Sequence, residues 1–257
     1  MHTGRILSVV FSLLSSLALL GCATTGDSST PHAQTQALTA TQAFRTWTPA
    51  DQQQWSPVKF PGKQHTRYQL AHHALRSGTQ ADAQSAVSML RQSVHVPPEQ
   101  LGALKFSWHV PALIDGADMG QRDADDSPVR VVLAFEGDRS QFSARNAMLN
   151  ELSRALTGEE MPYATLMYVW CNHRPVGTVI ANPRTDRIQK IVVESGPRQL
   201  MRWQDYERNI RADFEKAFGE PPGALVAIGL MTDSDNTRSS ARAWYGDVQL
   251  VRPLPPP

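Results

Sequence analysis

Two cysteines, Cys22 and Cys171, are all the chain has, and its 25 Lys+Arg stand against 24 Asp+Glu. Two thiols do not make a disulfide-dense scaffold. The near-zero charge balance, with no run of five or more like charges, argues against nucleic acid as a partner. Proteins that neutralise many phosphates carry a basic excess or a basic cluster. Internal repeats are absent, and so are G-x-G-x-x-G, P-loop, H-E-x-x-H, C-x-x-C and G-x-S-x-G patterns. Those absences weaken nucleotide, zinc-protease, redox and serine-hydrolase readings. What is present is a chain of 257 residues, 41% hydrophobic with dispersed charge, which describes a globular protein able to bury a core.

The first residues read as an address. Arg5 precedes an apolar stretch from Ile6 to Leu20, which ends at Gly21-Cys22. A short positive region, an apolar region and small residues at its end describe a secretory signal, too short for a bilayer span of roughly 20 residues. Leu19-Leu20-Gly21-Cys22 resembles a bacterial lipobox, which predicts cleavage before Cys22, acylation of that cysteine and attachment to the membrane through its acyl chains. Ala23 in place of Asp favours the outer membrane, facing the periplasm. Removing residues 1–21 takes away only Arg5 and leaves the two charge signs equal, so anionic lipid adds little to the acyl anchor. Residues 22–42, rich in Ala, Thr, Ser and Gln, read as a flexible tether, and 253–257 as a Pro-rich tail.

Residues 43–252 then form a single domain. Extended candidates are Val58–Phe60, Arg67–His72, Leu104–Val110, Val129–Phe135, Thr165–Cys171, Val176–Ala181, Ile188–Val193, Ala224–Met231 and Arg242–Val251. They alternate or are β-branched, and Gly, Pro, Asn and Asp separate them, which predicts a β-sandwich. Two helices are expected. Ala144–Leu156 ends at Gly158, and Trp203–Phe218 has Trp203, Tyr206, Ile210, Phe214 and Phe218 at helical steps before Gly219 and Pro221-Pro222. On such a helix Arg208 and Asp213, five apart, are poorly placed to pair. Cys171 reads as a small core residue; a nucleophile using His173 lacks an orienting third group.

Three groups could carry chemistry. Alternate oxygens of Asp233, Asp235 and Thr237 in Thr232–Thr237 could converge on Ca²⁺, although an Asx-rich turn bonding its own backbone is the plainer reading. Asp123, Asp125 and Asp126, with Arg130 just inside the next strand, could bind sugar hydroxyls together with Asn236 if the two acidic loops meet at one end of a sandwich. Tyr168 and Trp170, at i and i+2, share one side of a strand and could stack on a sugar ring, though alternating aromatics more often pack a core.

The order Tyr168-Val-Trp170, Val192-Val-Glu-Ser195-Gly196, Trp203-x-x-Tyr-Glu-Arg208-Asn209, Asp213, Phe218-Gly219-x-Pro221, Met231–Thr237 and Tyr245-Gly246-Asp247 resembles the bacterial envelope family of domain of unknown function 3047. Asp125-Asp126, Arg130 and Leu104–Trp108 fit the same pattern, so the likeness covers about residues 55–251. The segment Ser140–Pro162 is longer than that pattern. The resemblance implies a mostly β fold, a jelly-roll sandwich similar to galactose-binding-like domains with one or two packed helices. Such domains often bind carbohydrate and often hold a structural calcium. By analogy of fold, the function expected is non-catalytic binding of a glycan or other polyhydroxylated ligand. Its rivals are a glycan hydrolase or lyase using paired acids, and a scaffold lipoprotein binding another envelope protein.

Overall fold

The computed structural model describes residues 43–252, so the expected signal, the acylated Cys22, the tether and the Pro-rich tail lie outside the described residues. Thirteen strands and two α-helices follow one another there. They are β1 (Ala43–Trp47), β2 (Ser56–Lys59), β3 (Arg67–His73), β4 (Arg76–Gln84), β5 (Val87–Val96), β6 (Ala103–His109), β7 (Ser127–Phe135), α1 (Ala144–Thr157), β8 (Ala164–Cys171), β9 (Val179–Ala181), β10 (Ile188–Ser195), β11 (Trp203–Asn209), α2 (Ile210–Phe218), β12 (Leu225–Asp233) and β13 (Ser240–Val251). One sheet runs β11-β6-β13-β4-β3, with β1 also on β13; the other runs β2-β5-β12-β7-β8-β10-β9. Pairing is antiparallel between neighbouring strands except for β8 with β10. The protein is a mostly β, two-sheet sandwich of jelly-roll type.

The alternation that betrayed the strands also builds the core. Leu104, Phe106 and Trp108 of β6 and Tyr245, Val248 and Leu250 of β13 face Val131, Leu133 and Phe135 of β7 and Leu166, Tyr168 and Trp170 of β8. Burying such side chains stabilises by about 1.5–3 kcal/mol each. All nine residues of β7 are buried, as its β-branched run anticipates for a strand covered on both faces. Cys171 is a free, buried thiol packed with Met119, Val169, Ile180 and Val192.

The expected helix Trp203–Phe218 is half strand. Trp203 to Asn209 pair with β6, from Trp203 opposite His109 to Asn209 opposite Ala103. Tyr206 points inward onto Phe106 and Trp108, whereas Asp205 and Glu207 are exposed, a period of two that an aromatic every three or four residues disguised. Asn209 then caps α2, its side chain accepting from Ala212 N at 3.0 Å, and Gly219 closes it at φ 73°. This strand-to-helix corner brings Arg208 onto Asp213, Nε to Oδ2 at 2.9 Å, where a continuous helix would have kept them apart.

The helix α1 forms near its expected bounds, capped by Ser143 and by Gly158 at φ 77°. It turns polar residues toward the body. Asn146 donates to Asp186 Oδ1 at 2.6 Å and accepts from Thr185 at 2.7 Å, and Asn150 accepts from Met161 N at 2.8 Å.

Candidate functional site

The two acidic loops do meet. Arg130 on β7 donates from Nε and Nη2 to the two oxygens of Asp233 on β12, both at 2.9 Å, and from Nη2 to Asp125 Oδ1 at 3.1 Å. Lys190 on β10, fully buried, donates to Asp125 Oδ2 at 2.7 Å and to Met119 O at 2.8 Å. Asp126 closes the loop 234–239 over this network. Its Oδ1 accepts from Asn236 N and Nδ2 at 3.2 and 3.0 Å, and its Oδ2 from Thr237 N and Oγ1 at 2.7 and 2.6 Å. Asp235 pairs with Lys63.

Burial sets the electrostatics here. It pushes the Asp233 carboxyl up to about 6 although Arg130 pulls the other way. Burial, then the nearby Arg130 charge, brings Lys190 down to about 8. For Asp125 burial raises the acid, but Arg130 and Lys190 together carry it below the ordinary carboxylate value.

Asp126, Asp233 and Asp235 each offer an oxygen within 4.8 Å of the others. Those oxygens already have donors. Arg130 and Ser127 N hold Asp233, Lys63 holds Asp235, and the Thr237 hydroxyl donates to Asp126. Side chains arranged in this way fit a lock between two loops; a Ca²⁺ ion, which takes six to eight oxygens, would have to displace them.

The expected ligand residues Asp125, Asp126, Arg130 and Asn236 are therefore joined to one another, with Asp126 and Arg130 buried. Tyr168 and Trp170 correct the stacking expectation. Both are fully buried, Tyr168 stacked on Phe106 and donating to Asp213 Oδ2 at 2.9 Å, Trp170 donating to Gly196 O at 3.0 Å. Neither ring offers a face to a ligand.

A cleft of about 880 Å³ lies elsewhere, across the outer face of the six-stranded sheet. Alternation along β6 and β11 sends Lys105, Ser107, Asp205 and Glu207 to this face, the break in register between Tyr245 and Val248 of β13 adds Asp247, and Thr48–Ala50 form one wall. Arg76, at the start of β4, grips Asp205 through Nη1 to Oδ1 at 2.8 Å and Nη2 to Oδ2 at 3.1 Å; Lys105 lies 3.4 Å from Glu207. Burial and the charge of Asp51 raise the Asp247 acid, partly offset by Arg76. Gly246 lets Ser107 pack against the β13 backbone, since a Cβ there would strike the Ser107 hydroxyl. The Trp203 ring lies over Gly78 and Gly246, donates to His73 O at 3.0 Å and carries the Arg76 guanidinium 5.6 Å above it.

Sequence reasoning missed this cleft because β4 was not recognised as a strand and Glu207 was placed on a helix. The available signal was the alternation Trp203-Gln-Asp205-Tyr-Glu207, whose odd positions share one face.

Fold and cleft together define a jelly-roll sandwich with a charged trough on one open sheet face. The chain belongs to the family described as Protein of unknown function (DUF3047), whose model matches residues 53–249. No curated protein matches it. Among solved structures it is similar to TmCBM61 in complex with beta-1,4-galactotriose, at 14% identity and a TM-score of 0.29, covering 81% of this chain and 87% of that one. It is also similar to the xyloglucanase domain of NopAA from Sinorhizobium fredii, in complex with cellobiose, at 7% identity and 0.38, covering 77% and 97%. The mannan-recognising module TmCBM27 follows at 8% and 0.32, covering 83% and 98%.

Proposed function

We propose that this is a lipid-anchored protein of the bacterial envelope whose sandwich domain binds, without cleaving it, a glycan or other polyhydroxylated ligand in the cleft of the six-stranded sheet. The observation that carries the reading is the lining. An Arg fork and three carboxylates, held on strands and their ends around the cleft, are groups suited to directional, charge-assisted bonds to hydroxyl groups. The volume falls in the range of about 300–1,000 Å³ usual for small-ligand sites. The Leu19–Cys22 motif after the apolar Ile6–Leu20 run supports the anchor, and Ala23 supports the outer membrane.

The test is incubation of the protein with a panel of envelope glycans, with bound ligand and cleaved product read together by mass spectrometry. Retention of an intact glycan is the expected result. A cleaved product would make Asp205, Glu207 and Asp247 catalytic suspects and end the non-catalytic reading. Neither binding nor turnover would move the function to a protein partner. A diacylglyceryl mass on the peptide beginning at Cys22 checks the anchor.

A further inference from the structure

Seven large apolar side chains are well exposed among the described residues, and three of them, Met148, Leu152 and Leu156, lie on α1. Four residues apart, they share one helix face. The opposite face holds Asn146 and Asn150, buried and hydrogen-bonded to Asp186, Thr185 and Met161. A surface helix ordinarily buries its apolar stripe and wets its polar one. Here polar bonds fix the helix to the body and the apolar stripe is turned to the outside. Arg145, exposed, stands on the same face as the stripe, and the helix carries one acid, Glu151.

We propose that the Met148–Leu152–Leu156 stripe rests on the surface of a lipid bilayer, with α1 parallel to the membrane plane. The apolar side chains enter the boundary between headgroups and acyl chains, and Arg145, on the same face, places its charge among lipid phosphates. This rests on the lipid-anchored reading above. Ala23–Gln42 separate the acylated cysteine from β1, and twenty residues reach up to about 70 Å at 3.3–3.6 Å each. A domain of this size has a radius of gyration of roughly 17 Å, so the anchor can bring any face to the bilayer. A linker of that length holds the helix at an effective concentration of order millimolar, which favours even a weak surface contact. A second copy of the chain is a poorer occupant. One face of a fourteen-residue helix spans about 21 Å by 10 Å, well below the roughly 800 Å² per partner of a stable interface.

The test uses the full chain reconstituted into vesicles of three parts phosphatidylcholine to one of phosphatidylglycerol, with an environment-sensitive fluorophore at Leu152→Cys or, as control, at Gln84→Cys on β4. Lipids brominated along their acyl chains serve as quenchers. Quenching at 152 is expected to exceed that at 84 severalfold. It is expected to fall by more than half in Met148→Glu/Leu156→Glu, where all three altered positions are exposed and the fold is spared. Equal, weak quenching at both sites in protein that floats with the vesicles overturns the proposal while the anchor stands. Protein that does not float removes the anchor reading and the proposal with it. Concentration-dependent self-quenching at 152 without bromolipid quenching assigns the stripe to a second copy, and quenching that survives the double Glu variant shows a contact independent of the stripe; both overturn it.

Discussion

Arg130 and Asp233 meet across neighbouring strands through two 2.9 Å hydrogen bonds, with the side chains 3% and 4% exposed. Removing one partner strands the other, so Arg130→Met, which leaves Asp125 and Asp233 facing burial without their fork, is expected to cost about 3–5 kcal/mol in urea unfolding. Arg130→Met/Asp233→Leu removes the stranded charge as well and is expected to recover much of that loss, giving a coupling energy well outside additivity.

The same carboxyl sets a pH dependence. Folded Asp233 keeps its proton up to about 6, whereas the unfolded side chain releases it near the ordinary 3.8. The native state therefore holds the extra proton between those values, and stability falls as pH rises through that window, by up to about 3 kcal/mol. Unfolding free energies at pH 4 and pH 6.5 measure the slope. Asp233→Asn, with no proton to release, is expected to flatten it, and an unchanged slope would place the titration on another group.

Because Arg130, Lys63 and the Thr237 hydroxyl already serve the acidic triad, a chelator is expected to leave the melting temperature where it was. A fall reversed by added Ca²⁺ would assign Asp126, Asp233 and Asp235 as ligands after all, since an ion bound only by the folded state raises its stability.

Core and cleft respond differently to substitution. Tyr168→Phe loses a buried bond to the Asp213 carboxylate and is expected to cost about 1.5–3 kcal/mol without altering glycan affinity. Arg76→Ala breaks an exposed ion pair worth at most about 1 kcal/mol, yet is expected to weaken the ligand roughly tenfold by removing a charge-assisted contact. Calorimetric unfolding and ligand titration on the two variants separate these effects.

Most of the sandwich was legible because its central strands write burial directly into composition: Val129–Phe135 and Thr165–Cys171 admit no other reading once a core is needed. β4 was hidden because Arg76–Gln84 is built from Ala, Gln, Gly and Thr, and its small inward residues, Ala81 and Ala83, carry no strong hydrophobic signal. The joining of Asp125–Arg130 to Asp233–Thr237 was foreseen as proximity. Its chemistry was not, because the compensating Lys190 sits in a strand 65 residues from Asp125 and Lys63 lies 172 residues from Asp235. The cleft depends on which strands neighbour one another, and that is a property of topology.

The last two strands, β12 and β13, are also the seams of the two sheets. β12 joins β5 to β7, and β13 joins β6 to both β4 and β1. The earlier strands alone are therefore unjoined halves with open edges, and neither sheet can close until residues 225–251 are in place. A chain that lost this stretch would not be a smaller sandwich. It would be a set of sticky ribbons, exposed to every other unfinished edge around it.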